Sequence, residues 1–155
     1  SEITSLIDWA CNEFDGCKNG IFLCGYSAAG TAAIFASAVD ERINGIAIGG
    51  CVGQLKETVM QRGTGGFLAI PGILQHFEFD SILGLIAPRI CVVVSGVSDH
   101  IFPYAGADLC MQSARRVYSE LGASEAIVHL EAPGGHTYYP ELLWPAFMGA
   151  ITRNS

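Results

Sequence analysis

The stretch that decides the fold is Gly20-Ile21-Phe22-Leu23-Cys24-Gly25-Tyr26-Ser27-Ala28-Ala29-Gly30-Thr31-Ala32-Ala33. Its apolar first part predicts a buried strand, its middle part a sharp turn of small residues, and its alanine-rich last part a helix. Residues 25–29 match the G-x-S-x-G nucleophile elbow, except that an alanine stands at the fifth position. Only small neighbours fit such a strained turn. We therefore predict that the turn presents Ser27 as a nucleophile.

Strand and helix patterns alternate along the rest of the chain. Apolar runs predict strands, and apolar residues at helical spacing predict helices. The strands are expected at 20–25, 43–49, 90–95 and 126–130, and the helices at 2–14, 28–39, 77–86, 104–121 and 139–152. Because a strand, a helix and a strand within about 30 residues form a βαβ unit, the strands should be parallel. The predicted fold is an α/β fold with an open, doubly wound, mostly parallel sheet.

Residues 50–75 interrupt this alternation and follow neither period cleanly. An excursion from the carboxyl end of the sheet would have such a sequence, and so would an ordinary long loop, so both interpretations stay open. With 155 residues, the chain is one domain at most and is long enough for a core. We therefore expect residues 1–155 to belong to a single domain.

The composition excludes several classes of partner. The chain has 8 basic and 15 acidic residues and a net charge of −7, so nucleic acid is not an expected partner. No apolar run approaches the roughly 18 residues of a membrane span, and we expect no membrane partner. No residues show the spacing of metal ligands, and no glycine-rich phosphate motif is complete. We therefore expect neither a metal nor a cofactor.

The cysteines give weaker information. None of the six forms a C-x-x-C pair, and we expect buried, reduced thiols that behave as small apolar residues. A disulfide between Cys11 and Cys17 stays open as an alternative. This cysteine usage favours a reducing compartment such as the cytoplasm.

Three polar residues follow three different predicted strands. Ser27 follows the first strand, Asp99 the third and His136 the fourth. Because the carboxyl ends of parallel strands meet at one edge of a sheet, these side chains should lie close together. A serine hydroxyl needs a base to remove its proton, a histidine can be that base, and a carboxylate can orient the imidazole. The order Ser, Asp, His is that of α/β-hydrolases.

Each of these residues also has a structural interpretation when it is taken alone. A serine at a strand end is commonly a helix cap, an aspartate there is commonly a turn former, and a Gly-Gly-His sequence is commonly a loop. Their joint occurrence in this order favours the catalytic interpretation. Of the other histidines, His100 is expected to be exposed and His129 to pack within a strand. Tyr26, His76 and Phe102 are the candidates for a substrate pocket.

Several segments together resemble a known family. They are Gly25 to Gly30, Asp40 to Ile43, Leu85 to Arg89, Gly96 with Asp99, Phe102-Pro103, and Pro133 to His136. They resemble the C-terminal part of the α/β-hydrolase superfamily, in its acetyl-esterase and dienelactone-hydrolase-like branch, which includes relatives of acetyl xylan esterases. The resemblance implies Ser27 as nucleophile, Asp99 as acid and His136 as base. It also implies ester substrates with small acyl groups, and a serine nucleophile favours the esterases over the dienelactone hydrolases, which use cysteine.

The chain departs from this family at its start, because only one helix precedes the elbow. In the family an upstream loop supplies one N–H of the oxyanion hole, so only the backbone N–H of Ala28 is expected here. The strand before Ser27 or its neighbour should also form an uncovered apolar edge. A missing N-terminal segment or a second chain is therefore expected to complete the sheet.

Two other functions remain open from the sequence. A partial hydrolase domain that lacks half of its oxyanion hole would suit a non-catalytic binding or partner module. A peptidase of the same fold would carry the same three residues.

Overall fold

The computed structural model describes residues 2–61 and 70–154. Four strands form one sheet: β1 (Ile21–Tyr26), β2 (Ile43–Gly49), β3 (Ile90–Gly96) and β4 (Ile127–Ala132). The main helices are α1 (Glu2–Glu13), α2 (Ala28–Val39), α3 (Phe79–Gly84), α4 (Tyr104–Glu120) and α5 (Pro140–Asn154). The strands lie in the order β1-β2-β3-β4, and all neighbours are parallel. The predicted parallel α/β architecture is confirmed.

Two apolar cores cover the two faces of the sheet. Alternate residues of a strand point to opposite faces, so Ile46 and Ile48 of β2 enter one core while Ala47 enters the other. The first core also contains residues of α1 to α4, and the second is closed by α5 through Leu143 and Phe147. Helices on both faces explain why β2 and β3 are almost continuously buried.

The strand that leads to Ser27 lies at an edge of the described sheet. It pairs with β2, from Ile21 beside Ile43 to Tyr26 beside Gly49. Of its six residues only Gly25 is fully buried, and Cys24 is exposed. The expected apolar edge is thus present, and the predicted burial of Cys24 is wrong because, among the described residues, β1 has a neighbouring strand on one side only.

The six cysteines are free thiols. Cys51, Cys91 and Cys110 are buried as predicted, whereas Cys11 is exposed on α1 and Cys17 is half-buried. The Cys11 pKa is raised, mainly by a hydrogen bond with Cys17, so these two thiols are neighbours. Within the described residues, no helix combines the length and the apolar character needed to cross a membrane.

An arginine ties together the amino ends of the central strands. The Arg89 guanidinium donates hydrogen bonds to the carbonyl oxygens of Asp40 and Ile43, both at 3.0 Å. The carbonyl oxygen of Arg89 in turn accepts a 2.7 Å bond from the hydroxyl of Tyr118, a buried residue of α4. These bonds fix α4 on the sheet at the end opposite to Ser27.

The excursion after β2 is packed where the structure describes it. Cys51, Val52 and Leu55 join the first core, and one π-helical turn follows (Lys56–Gln61). The Glu78 carboxylate accepts hydrogen bonds from the N–H groups of Leu55 and Phe79 at 2.6 and 2.8 Å. The first part of the excursion is thereby fixed to the start of α3. Its part from 62 to 69 lies outside the described residues.

Candidate active site

Ser27 occupies a strained turn between β1 and α2. Its φ and ψ are 54° and −124°, and among the described residues it is the one non-glycine residue with a positive φ. The N–H of Ser27 donates to the carbonyl oxygen of Gly49 at 2.9 Å, which anchors the turn to β2. A Cβ atom on Gly25 would lie 2.6 Å from the nitrogen of Gly30, so a side chain there would prevent the turn. The backbone thus has the form that the sequence predicted.

The three residues of the predicted catalytic group meet at the carboxyl end of the sheet. His136 Nε2 lies 3.1 Å from Ser27 Oγ, and His136 Nδ1 lies 2.8 Å from Asp99 Oδ2. The Asp99 side chain is 1% exposed and the His136 side chain 13%. An imidazole that donates from Nδ1 to the carboxylate has its Nε2 lone pair free to accept the serine proton. The geometry therefore suits general-base activation of Ser27.

Backbone N–H groups hold the Asp99 carboxylate in place. Its Oδ1 atom accepts from Ile101 at 2.8 Å and from Phe102 at 2.9 Å, while Oδ2 faces His136. The two N–H groups leave one oxygen for the imidazole and fix its direction. A carboxylate bound in this way can orient the ring and stabilise the imidazolium.

Two aromatic rings flank His136. The Phe102 ring is stacked on the imidazole at a centroid distance of 6.0 Å and an angle of 20°, and the Tyr26 ring lies at 5.0 Å and 40°. Burial raises the pKa of Tyr26, and the Asp99 charge raises it further, so Tyr26 is a neutral phenol at neutral pH. Two of the three predicted pocket residues therefore lie beside the imidazole.

Gly50 also lies beside the imidazole of His136. Gly50 has a φ of +57°, and a Cβ atom there would lie 2.8 Å from Tyr26 Cε2 and 3.2 Å from His136 Cε1. A glycine at this position lets the chain pass close to the imidazole. The sequence singled out no role for Gly50, because its conformation and neighbours depend on the tertiary structure.

Ala28 is the first residue of α2, directly after Ser27. Its N–H has no acceptor within the helix, and the first turn of α2 contains no acidic side chain. The positive end of the helix dipole therefore lies beside Ser27 Oγ and favours a negative charge there. This placement suits an oxyanion donor, and the assignment of that role to Ala28 stays a prediction.

His76 does not lie with the other predicted pocket residues. It lines a separate apolar cavity of about 430 Å³ together with Phe35, Val39, Phe77 and other residues. Phe35 stands eight residues after Ser27 in α2, which is about 12 Å along the helix axis. The placement of His76 in the substrate pocket is therefore not supported. The irregular sequence of the excursion gave no register from which its position could be judged.

A second Ser–His–Asp group lies nearby, and the sequence did not indicate it. His129 Nε2 lies 3.1 Å from Ser95 Oγ, and His129 Nδ1 lies 3.7 Å from Asp108 Oδ1. The Tyr104 ring stacks on the imidazole at 5.5 Å and 17°. The His129 side chain is 2% exposed, and Ser95 is buried. This serine is not accessible to a substrate.

The surroundings of His129 hold its imidazole in the neutral form. The pKa of His129 is lowered to about 4, mainly by burial and also by the nearby Arg115, while Asp108 opposes the shift. His129 is therefore neutral at pH 7.

Among residues 2–61 and 70–154, no three or more His, Cys, Asp or Glu side chains are grouped so that they could hold a metal ion.

Comparison with known proteins identifies the fold. No family model matches the chain. Among curated proteins it is similar to "Putative hydrolase YtaP" of Bacillus subtilis (strain 168), with 27% identity over 137 residues, which are 85% of this chain and 45% of the Bacillus protein. The chain therefore spans less than half the length of this relative.

Solved structures of esterases share the architecture. A glucuronoyl esterase from Solibacter usitatus matches with a TM-score of 0.74 and 20% identity, over 95% of this chain and 46% of that one. A glucuronoyl esterase of carbohydrate esterase family 15 from Caldicellulosiruptor kristjansonii gives 0.68 and 22%, over 83% and 42%. The esterase domain of a Rhodothermus marinus protein gives 0.65 and 12%, over 99% and 67%. These similarities and the parallel sheet show that the chain has an α/β-hydrolase-like fold.

Proposed function

We propose that the protein is a serine hydrolase that cleaves carboxylic esters. The observation that carries the proposal is the hydrogen-bonded line from Ser27 through His136 to Asp99, at 3.1 and 2.8 Å, beside the amino end of α2. The names of the hydrolase relative and the esterase structures support the same reaction class.

The proposed reaction has two halves. In the first, Ser27 Oγ attacks the ester carbonyl carbon while its proton passes to His136 Nε2, and collapse of the tetrahedral intermediate breaks the ester C–O bond. His136 returns the proton to the departing alcohol, and an acyl-enzyme remains on Ser27. In the second half a water molecule gives its proton to His136 and attacks the acyl carbon. The acid product then leaves, and His136 returns the proton to Ser27 Oγ.

The negative oxygen of the intermediate requires hydrogen-bond donors. The Ala28 N–H is the donor that we assign within this chain, and loss of one donor typically costs about 10²–10³ in rate. We propose that a second chain or a further N-terminal segment supplies a second donor and completes the sheet beside β1. In this proposal, residues 1–155 are part of a single hydrolase domain.

We propose a small-molecule ester with a small acyl group as the substrate. Tyr26, Phe102 and the Gly50 backbone surround the imidazole closely, which restricts the space beside it. The comparison of p-nitrophenyl acetate with p-nitrophenyl octanoate tests this size limit. A methyl ester of glucuronate tests the class of ester that is named for the structural neighbours. Faster cleavage of the octanoate than of the acetate would contradict the small-acyl proposal.

A fluorophosphonate probe tests the reaction itself. We expect the wild-type protein to become labelled at Ser27, because the probe forms a stable bond only with an activated serine. Ser27→Ala should lose the label and the hydrolysis of p-nitrophenyl acetate, whereas Ser119→Ala, on the exposed side of α4, should keep both. If wild type is labelled no better than Ser27→Ala, the proposed nucleophile is wrong. The chain would then be better described as a non-catalytic module.

A further inference from the structure

The loop that carries Asp99 has both of its ends beside one buried histidine. This loop, residues 97–103, connects β3 to α4 and contributes both the carboxylate and the Phe102 ring to the surroundings of His136. Its position at the imidazole therefore depends on how its two ends are held. A displacement of the loop would move the carboxylate and the ring together.

His129 of β4 contacts both ends of this loop. At the β3 end, its Nε2 lies 3.1 Å from the hydroxyl oxygen of Ser95, two residues before the loop. At the α4 end, its ring stacks on Tyr104, the first residue after the loop, at a centroid distance of 5.5 Å. One side chain thus contacts a residue shortly before the loop and the first residue after it.

The surroundings of His129 keep this contact uncharged. Tyr104, Asp108 and Arg115 of α4 face it, and Ser95 faces it from β3. Asp108 is 3.7 Å away, which is too far for a hydrogen bond. Because burial holds the pKa of His129 near 4, the ring is neutral at pH 7 and binds Ser95 as a neutral partner.

We propose that His129 is a positioning residue that holds the 97–103 loop closed at its base and so keeps Asp99 aligned with His136. The inference rests on the proposed function, since it assigns His129 a part in the same reaction. A displacement of about 1 Å in a catalytic group can cost on the order of 10²-fold in rate. His129 itself takes no part in bond making, because its side chain is 2% exposed and its serine partner is buried.

The experiment compares kcat and KM of three variants with those of the wild-type protein. His129→Leu removes both contacts, and His129→Gln keeps a polar group that can bond Ser95. The matched control is Tyr118→Phe, which removes a buried hydrogen bond of α4 at the opposite end of β3. Fluorophosphonate labelling of wild-type Ser27 establishes beforehand that the proposed reaction takes place.

We expect His129→Leu to lower kcat about 30-fold, with KM changed less than about twofold. His129→Gln should recover most of kcat. Tyr118→Phe should keep the wild-type kcat and KM even if its melting temperature falls.

Two results would overturn the proposal in distinguishable ways. A labelled, active wild type whose His129→Leu variant has the same kcat would reject the positioning role alone. An unlabelled, inactive wild type would reject the proposed function and the positioning role together. If His129→Leu does not fold, Ser95→Ala decides by the same measurements, since it removes the β3 contact and leaves the ring. An unchanged kcat in that variant would also reject the proposal.

Discussion

Two groups of serine, histidine and aspartate lie at the same end of this sheet, and they differ in almost every physical respect. In the first group, Ser27 follows an edge strand and has a strained φ of 54°, and His136 lies 3.1 Å from Ser27 Oγ and 2.8 Å from Asp99 Oδ2. In the second, Ser95 lies inside β3, the histidine is neutral and buried, and the aspartate stands 3.7 Å away. The same three residue types therefore occur in two different environments.

The difference lies in position along the strands rather than in residue type. Ser27 comes after the last residue of β1, where the chain turns away from the sheet and the amino end of α2 begins. Ser95 comes one residue before β3 ends, where both faces of the sheet are covered. A nucleophile needs access, a neighbouring base and a site for developing negative charge. The first group has these features, and the second has a bond to a base but no access.

The largest effect that would sharpen this comparison is expected from Asp99→Asn. The asparagine oxygen can still accept from Ile101 and Phe102, but its amide would donate to His136 Nδ1. The wrong tautomer would then leave Nε2 unable to accept the Ser27 proton, and kcat should fall by about 10⁴-fold while the free energy of unfolding changes by less than about 1 kcal/mol.

The matched change in the second group is Asp108→Asn. Because Asp108 is too far from His129 for a hydrogen bond, kcat should stay within roughly threefold of wild type. Steady-state kinetics and urea unfolding of both variants make the comparison. Equal losses of turnover and stability in Asp99→Asn would reject a catalytic role for Asp99.

A smaller effect is expected at Gly50, the glycine that lies beside the imidazole of His136. Gly50→Ala should lower kcat by about 10²-fold, because the new methyl group would lie 2.8 Å from Tyr26 and 3.2 Å from His136. The matched control is Gly122→Ala, because Gly122 has a similar positive φ of 69° but a Cβ atom there would have no neighbour within 4 Å. It should lose about 1 kcal/mol of stability and no kcat. If both variants show the same kcat, the close approach at Gly50 is not functionally important.

The sequence predicted the first group because its residues follow strands. In a parallel sheet the carboxyl ends of strands meet at one edge, so chain order alone brought Ser27, Asp99 and His136 together. The elements themselves were predicted because the apolar runs of β2 and β3 and the periodic spacing of α4 are unambiguous. Element ends differ from the predicted ones by two residues at most. α3 is shortened at both ends, and at its start the Glu78 side chain caps it at Phe79.

The second group could not be predicted, because its residues lie within strands and depend on register. His129 stands beside Val93 of β3, so Ser95 is its diagonal neighbour on the same face of the sheet. A shift of one residue would place the imidazole on the opposite face. The exposure of Cys24 was missed for a related reason, since burial of a strand depends on its neighbours.

The smallest expected effect is the pH dependence of stability that comes from His129. The pKa of His129 is about 4 in the folded protein, below the ordinary 6.5, so between these values the unfolded chain binds more protons and stability falls as pH falls. From pH 7.5 to pH 5 this loss of stability amounts to about 2 kcal/mol.

His129→Gln should lose that share of the pH dependence in urea unfolding. His100→Gln, which removes an exposed histidine, should keep it. The Asp40 carboxyl, whose pKa is lowered mainly by its bond to Arg42, contributes equally to all three proteins and cancels in the comparison. If His129→Gln shows the wild-type pH dependence, His129 is not held neutral by burial, and the contrast between the two groups loses its electrostatic basis.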